Sequence, residues 1–325
     1  MKSSKLKAII KDIFIKYKLS KDHATICAEA LINAELVGAP SHGLSRLKMY
    51  CDRISKKVIN PKAKIKVKKI SQSIAHVDGN NSIGFVAADT AIKTAISNAK
   101  KTGIGLVAVK NSGHYGLSGY YAEQAVKKGL MVMVFTNAPP AVAPHGALKS
   151  LFGTNPICFG TPTGSKVPFI LDTSISMINR GKIRVAAREG TKIPEGVALD
   201  KYGKPTTDPK KALEGVQLPI AGFRGSGLAW MVDILSGVFT GGNHAGRVKD
   251  KASSKLPFDV SKAIVVVITR VDPAILPPTI ITAPTSAIAR PNPAKTAVKI
   301  ENLASTIKIF NLNHIDASTL LSKRL

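Results

Sequence analysis

The sequence predicts an α/β protein in which a small helical unit precedes a strand–helix domain. Three observations carry this. Residues 1–55 hold three stretches with apolar residues at 3- and 4-residue steps, the spacing of amphipathic helices. Between residues 73 and 136 short β-branched runs alternate with helical patterns, an α/β signature. The 325 residues are 44% hydrophobic and 21% charged, enough for two or three packed units and too apolar for a disordered chain. The organisation that follows is residues 1–60 as the helical unit, 61–248 as the α/β domain and 249–325 as a segment of different character.

Taken in order, residues 4–18 place Leu6, Ile9, Ile10, Ile13, Phe14 and Tyr17 on one helical face. A second helix spans residues 21–36 through Ala24, Cys27, Leu31 and Ala34 and stops at Gly38. Gly38 and Pro40 break the chain, Ser41 reads as an N-cap, and Leu44, Leu47, Cys51 and Ile54 form the stripe of a third helix. Arg46 and Tyr50, four apart, share one face of it. Its start would gather backbone N–H groups, the Ser41 hydroxyl, the His42 imidazole and the Arg46 guanidinium. That is chemistry for a carboxylate with a transferable proton beside it; an ordinary capped surface helix would carry the same residues.

Residues 62–69 alternate so that Lys64, Lys66 and Lys68 face one way and Ile65 and Val67 the other, a half-buried edge strand defended by charge. A strand at 73–77 leads into a turn at Asp78-Gly79-Asn80-Asn81. Residues 86–101 are helical and end at Gly103, and 104–109 form a buried strand. The pattern repeats with a helix at 119–128, Gly129 past its end and a strand at 130–136. The loop between, residues 110–119, carries glycines three apart with His114 at its tip, and lets a ligand approach the backbone closely. Standing alone, His114 reads as a loop histidine satisfied by backbone groups.

A proline-rich wall follows at residues 137–144, and a strand ends at Ile170-Leu171-Asp172-Thr173-Ser174. Residues 192–213 hold turns at 194–196, 200–203 and 208–209. Gly222-Phe223-Arg224-Gly225-Ser226-Gly227 then leads into an apolar helix at 228–239, a cation and glycines at a helix start being suited to phosphate. A short strand is expected at 263–268, and 273–293 is rich in Pro, Thr, Ala and Ile with no clear period.

The formal net charge is +27, yet the basic residues are spread along the chain and aromatics are only 5%, so a dedicated nucleic-acid surface is not expected and an anionic substrate is. Cys27, Cys51 and Cys158 are scattered and odd in number, which fits a reducing compartment and neither a disulfide frame nor a metal site. No apolar run reaches the length of a membrane span and residues 1–7 are polar, so the expectation is a cytoplasmic protein. No G-x-G-x-x-G occurs, so the common nucleotide-binding fold is not supported.

Eight motifs occur in order: Ser41-His42-Gly43 with Arg46 and Tyr50; Asn111-Ser112-Gly113-His114-Tyr115-Gly116; Thr136-Asn137 with Pro139-Pro140; Gly153-Thr154-Asn155-Pro156; Arg180-Gly181-Lys182-Ile183; Ile193-Pro194-Glu195-Gly196; Pro205-Thr206-Thr207-Asp208-Pro209; and Arg224-Gly225-Ser226-Gly227-Leu228. Over about residues 5–242 the chain resembles the malate/L-lactate dehydrogenase family that lacks a Rossmann fold, its archaeal malate/sulfolactate branch above all. The resemblance implies a non-Rossmann α/β dinucleotide-binding domain and a homodimer. It also implies hydride transfer between NAD or NADP and a small anionic 2-hydroxy/2-oxo acid, malate/oxaloacetate first and sulfolactate second. By the same resemblance, Ser41, Arg46, Tyr50, Thr136 and Asn137 are substrate positions, and His114, then His42, is the proton carrier. Gly116, Ile170, Leu171, Asp172, Thr173, Ser174, Ile175, Ser176, Phe223 and Arg224 are cofactor positions. Arg224 stands where the family usually has lysine, and Ile175 where it has a hydroxyl or small residue. Beyond residue 242 the pattern fades, through divergence or a changed reading frame, and the Pro-Gly-Glu element the resemblance would place near the cofactor does not occur.

Overall fold

The computed structural model describes residues 3–163, 167–248 and 262–270. The helical unit begins with α1 (Ser3–Lys16) and α2 (Lys21–Leu36), whose stripes meet so that Leu6, Ile10, Phe14, Cys27 and Leu31 are buried in one cluster. Ser20 caps α2 by accepting the His23 N–H at 3.2 Å. The helix expected from Ser41 begins only at Leu47, as α3 (Leu47–Ser55), after two 3-10 turns at Pro40–His42 and Leu44–Arg46. Ser41 caps nothing; its hydroxyl pairs with His42 Nδ1 at 3.0 Å. The break is at Gly43, whose backbone (φ −97°, ψ −135°) leaves the helical region. The carboxylate of Glu35, at the end of α2, fills the space beside Gly43 and accepts the Leu44 N–H at 2.7 Å.

The α/β domain is built on a seven-stranded sheet in the order β1-β2-β3-β9-β4-β5-β6. The strands are β1 (Lys66–Lys69), β2 (Ile74–Ser82), β3 (Ile104–Ser112), β4 (Leu130–Thr136), β5 (Ile157–Thr161), β6 (Phe169–Thr173) and β9 (Lys262–Arg270). β2 and β3 are parallel, joined by α4 (Gly84–Thr102), and every other neighbouring pair is antiparallel. The strand expected at 263–268 is therefore the sheet's central strand, paired to β3 and β4 at once. This is a mixed α/β sheet and not a doubly wound parallel one, in keeping with the absent glycine fingerprint.

Side-chain alternation sorts the sheet's two faces. Val132 and Val134 of β4 join Val77, Val107 and Val109 under α4 and α5 (Ser118–Val126). Phe135 of β4 points the other way, into a cluster with Phe152, Ile175 and, from α8 (Phe223–Asp233), Ala229 and Val232. α4 lies close to the sheet because its inner face is alanine: a Cβ on Gly105 of β3 would stand 2.2 Å from Ala95 O. Gly103, at φ +85°, ends α4 in the left-handed conformation glycine adopts without strain.

Four further readings change. All four residues of β1 are exposed, Val67 at 49%, so the lysine strand is an edge strand but not a half-buried one. Asp78–Asn81 is a bulged continuation of β2, with Asn80 and Asn81 at φ +49° and +57°. The expected turn at 208–209 is the cap of α7 (Pro209–Glu214), Asp208 Oδ1 accepting the Lys210 N–H at 2.8 Å. α8 starts at Phe223, five residues early, and runs on through a π-helical stretch, Ile234–Val238. An amphipathic helix not foreseen, α6 (Arg180–Glu189), is capped by Asn179 and closed by Gly190 at φ +69°. β7 (Ala198–Leu199) and β8 (Val216–Gln217) form a small separate ribbon. Among the described residues no helix is long and apolar enough to cross a membrane. The readings for 249–261 and 271–325 lie outside the described residues.

Candidate active site

Topology gathers the predicted residues before any side chain is considered. β2, β3, β4 and β6 run the same way, so the ends that lead to His114, Thr136-Asn137 and Ser174 lie along one edge of the sheet. In open α/β sheets that edge is where ligands sit.

Two imidazoles meet there. His42, on its 3-10 turn, and His114, after β3, stack with centroids 5.8 Å apart and planes 21° apart. Each is held through Nδ1 by a hydroxyl: His42 by Ser41 Oγ at 3.0 Å and His114 by Tyr50 Oη at 2.6 Å. The Gly116 N–H also donates to His114 Nδ1, at 3.2 Å. A backbone N–H can only donate, so Nδ1 carries its lone pair and the neutral ring holds its proton on Nε2. Tyr50 is fully buried, its ring 4.8 Å from that of Phe85, and burial pushes its hydroxyl well above the ordinary tyrosine range. It stays protonated.

The backbone around His114 is fixed by close approaches. A Cβ on Gly84, the first residue of α4, would lie 2.3 Å from Gly113 O and 2.5 Å from His114 O. Gly116 is at φ +85°, and a Cβ there would meet Phe85 at 2.7 Å. Tyr121 Oη donates to Tyr115 O at 2.7 Å, and Tyr115 Oη and Ser118 Oγ pair at the same distance. Rings and glycines thus hold the loop rigid beneath the imidazole.

Arg46 completes this side. Its Nε donates to Ser41 O at 2.7 Å, which orients the guanidinium, and its Nη2 stands 3.7 Å from where a Cβ on Gly181 would be. The start of α6, the positive end of its dipole, therefore lies against Arg46. A cation and a helix N-terminus side by side favour a carboxylate.

Thr136 and Asn137 are at the same edge but buried, at 2% and 0%. The Thr136 hydroxyl donates to Asn137 O at 3.1 Å, and Asn137 Nδ2 donates to Asn243 O at 2.6 Å. They tie β4 to the 243–245 loop, where Asp233 Oδ2 accepts the Ala245 N–H at 2.6 Å; burial raises the Asp233 carboxyl.

The cofactor positions divide. Gly116 serves His114, as above. Ile170 is partly buried against the α4/α5 core, while Leu171 is 46% exposed. Asp172 Oδ2 accepts the Gly119 N–H at the start of α5 at 2.6 Å, and Thr173 is exposed. Ser174 Oγ donates to Ser176 O at 3.2 Å. Ile175 points inward, 2% exposed among Phe135, Phe152 and Val232, so its hydrocarbon side chain is a core residue. Residues 175–176 run beside 219–220, the Ile220 N–H donating to Ile175 O at 2.9 Å, which brings Phe223 and Arg224 to this strand. Phe223 is 64% exposed, with the Arg224 guanidinium 4.9 Å from its ring centre. Exposed apolar surface, serine hydroxyls and a cation at a helix start form a donor set that fits a nicotinamide dinucleotide.

Glu35, Phe85 and Gly84 were not singled out from the sequence. Glu35 is nine residues from the N–H it accepts and Phe85 lies across the fold, so no local pattern marks either. Among the described residues no group of three or more His, Cys, Asp or Glu could hold a metal ion.

Comparison with known proteins gives the family. The family model described as Malate/L-lactate dehydrogenase matches residues 1–280. The chain is 41% identical over 254 residues to the L-sulfolactate dehydrogenase of Methanocaldococcus jannaschii, covering 78% of this chain and 73% of that one. It is 42% identical over 246 residues to the malate dehydrogenase of Pyrococcus abyssi, covering 73% and 68%. The solved structure of the M. jannaschii sulfolactate dehydrogenase superposes with a TM-score of 0.77 at 38% identity, over 83% of this chain and 77% of that one. Dehydrogenases of this family use NAD or NADP and act on the CH–OH of a hydroxy acid. With its paired histidines, its arginine and its mixed sheet in place, this chain belongs to the malate/L-lactate dehydrogenase family.

Proposed function

We propose that the chain interconverts (S)-malate and oxaloacetate with NAD or NADP, with sulfolactate as the alternative substrate. The observation that carries the reading is the stacked His42–His114 pair, linked through Ser41 to Arg46. Arg46 and the start of α6 bind the carboxylate beside the reacting carbon. His114, held at Nδ1, moves the proton at Nε2: it takes the hydroxyl proton in oxidation and returns it in reduction. His42, stacked on it, orients the substrate oxygen. Bound NAD(P) supplies or accepts the hydride, and Leu171, Ser174, Ser176, Phe223 and Arg224 would hold it. Residues 1–60 are then the substrate-side unit that supplies Ser41, His42 and Arg46, and 61–248 the NAD(P)-binding catalytic domain that supplies His114, in a cytoplasmic homodimer.

Names among the relatives support both malate and sulfolactate, acids that share a second anionic group on the same short frame. Steady-state kinetics with NADH and NADPH against oxaloacetate, sulfopyruvate and pyruvate test the reading. The highest kcat/KM should fall on oxaloacetate. Preference for sulfopyruvate would replace the substrate, and no turnover of any 2-oxo acid would end the proposal.

A further inference from the structure

We propose that Tyr50 is the positioning residue of His114, its hydroxyl allowing Nδ1 to exist both with and without a proton while Nε2 works on the substrate. This rests on the reading of His114 as the proton carrier. It replaces the role the sequence implied for Tyr50, a substrate contact.

Two donors converge on one nitrogen: Tyr50 Oη at 2.6 Å and the Gly116 N–H at 3.2 Å. They differ in kind. The backbone N–H only donates, so it favours Nδ1 bare and the proton on Nε2. A hydroxyl both donates and accepts. The reaction needs the other states of the ring. To take a proton from a hydroxy acid, Nε2 must be bare, so the neutral ring carries its proton on Nδ1. To give a proton to an oxo acid, the ring must begin as imidazolium, with Nδ1 again protonated. In both states Nδ1–H needs an acceptor, and the Tyr50 oxygen provides it by turning its own proton away. In oxidation the proton passes from the substrate hydroxyl to Nε2 as the carbon gives up hydride, which a bound nicotinamide would accept; in reduction both would move back. Tyr50 neither gains nor loses a proton.

The fold supports this assignment. Tyr50 has no exposed surface, and Phe85 packs against both its ring and Gly116, so hydroxyl and N–H are held on the same nitrogen. Titratable and charged groups around the pair include His42, stacked on His114, with Arg46, Arg53, Cys27 and Tyr121 around Tyr50.

The test compares wild type with Tyr50→Phe, which keeps the ring and removes the oxygen. The Gly116 N–H cannot accept, so without the Tyr50 oxygen the imidazolium loses the acceptor that the hydroxyl gave to Nδ1–H. The pKa above which reduction fails should fall by about one unit and kcat by about tenfold in each direction, with KM for the 2-oxo acid within about twofold. A raised KM with unchanged kcat and pH profile would make Tyr50 a substrate contact and overturn the proposal, as would no change at all. Nitrogen-15 NMR of His114 reads the same point without turnover. Wild type should show the Nε2–H tautomer when neutral, and Tyr50→Phe should lower the titration midpoint. An imidazolium Nδ1–H in wild type without the proton shift of a hydrogen bond to an acceptor overturns the proposal even where the variant does not fold. If wild type reduces no 2-oxo acid the dehydrogenase reading fails, and the NMR titration still decides the role of Tyr50.

Discussion

Replacing Gly43 by alanine should unsettle the active-site turn through a single contact. The φ of Gly43, −97°, is not the left-handed one that demands glycine. The obstacle is Glu35: an added Cβ would lie 2.2 Å from Oε1, 2.8 Å from Cδ and 3.0 Å from Cγ. The carboxylate must move, and it then releases the Leu44 N–H it accepts at 2.7 Å. A hydrogen bond to a charged group is worth about 1.5–3 kcal/mol, so Gly43→Ala should cost about 2 kcal/mol in urea unfolding. Glu35→Ala removes the same bond and should cost about the same. The two losses are one loss, so the double variant should also cost about 2 kcal/mol, a coupling of similar size. Because His42 precedes Gly43, each variant should also lower kcat. Additive costs of about 4 kcal/mol in the double variant would refute the reasoning.

Other expectations follow from neighbouring contacts. Burial raises the Glu35 carboxyl, against the smaller opposing effect of its bond from Leu44. The folded state therefore binds the proton more tightly, and its stability is lost as pH rises from the ordinary carboxylate range through the raised value. Glu35→Gln should flatten that fall in pH-resolved unfolding; a steeper fall would contradict it. Asp172→Ala removes the acceptor for the Gly119 N–H and should cost about 1 kcal/mol in unfolding while raising KM for NADH or NADPH. Arg46→Lys loses the Nε bond to Ser41 O and the planar fork, and should raise KM for the oxo acid about tenfold or more, with a smaller effect on kcat. With a net charge of +27, kcat/KM for a dianionic acid should fall as salt rises, which a kinetic series in sodium chloride would show.

How much was legible depended on the range of the interaction that decides each feature. The bounds of α2 and β4 follow from local periodicity, and both match the reading at 21–36 and 130–136. α6 was passed over because only Ile183 and Ala186 of its ten residues are buried, too few to mark a stripe, although Asn179 and Gly190 bracket it. Ser41 has the chemistry of an N-cap, but Gly43 turns the chain and Glu35 supplies the acceptor. That β9 lies between β3 and β4 is a matter of topology, which a run of β-branched residues does not encode. For the site, the motifs single out His42, His114 and Arg46, and the fold brings the three to one edge of the sheet. The bond from Tyr50 to His114 spans 64 residues and appears only when α3 packs against the loop after β3. Asn137 carries the motif signature yet points inward, because a motif fixes residue type and not direction, and Ile175, which departs from the pattern, points inward as well.

On the proposed function, a histidine held at one edge of the sheet carries the proton when a small 2-oxo acid is reduced. The most direct measurement is turnover of oxaloacetate with NADH and NADPH by wild type, His114→Ala and His42→Ala. Wild type should turn over, and His114→Ala should lose about 10²–10⁴-fold in kcat, the usual worth of a general acid–base. Full turnover in both single variants would contradict the mechanism.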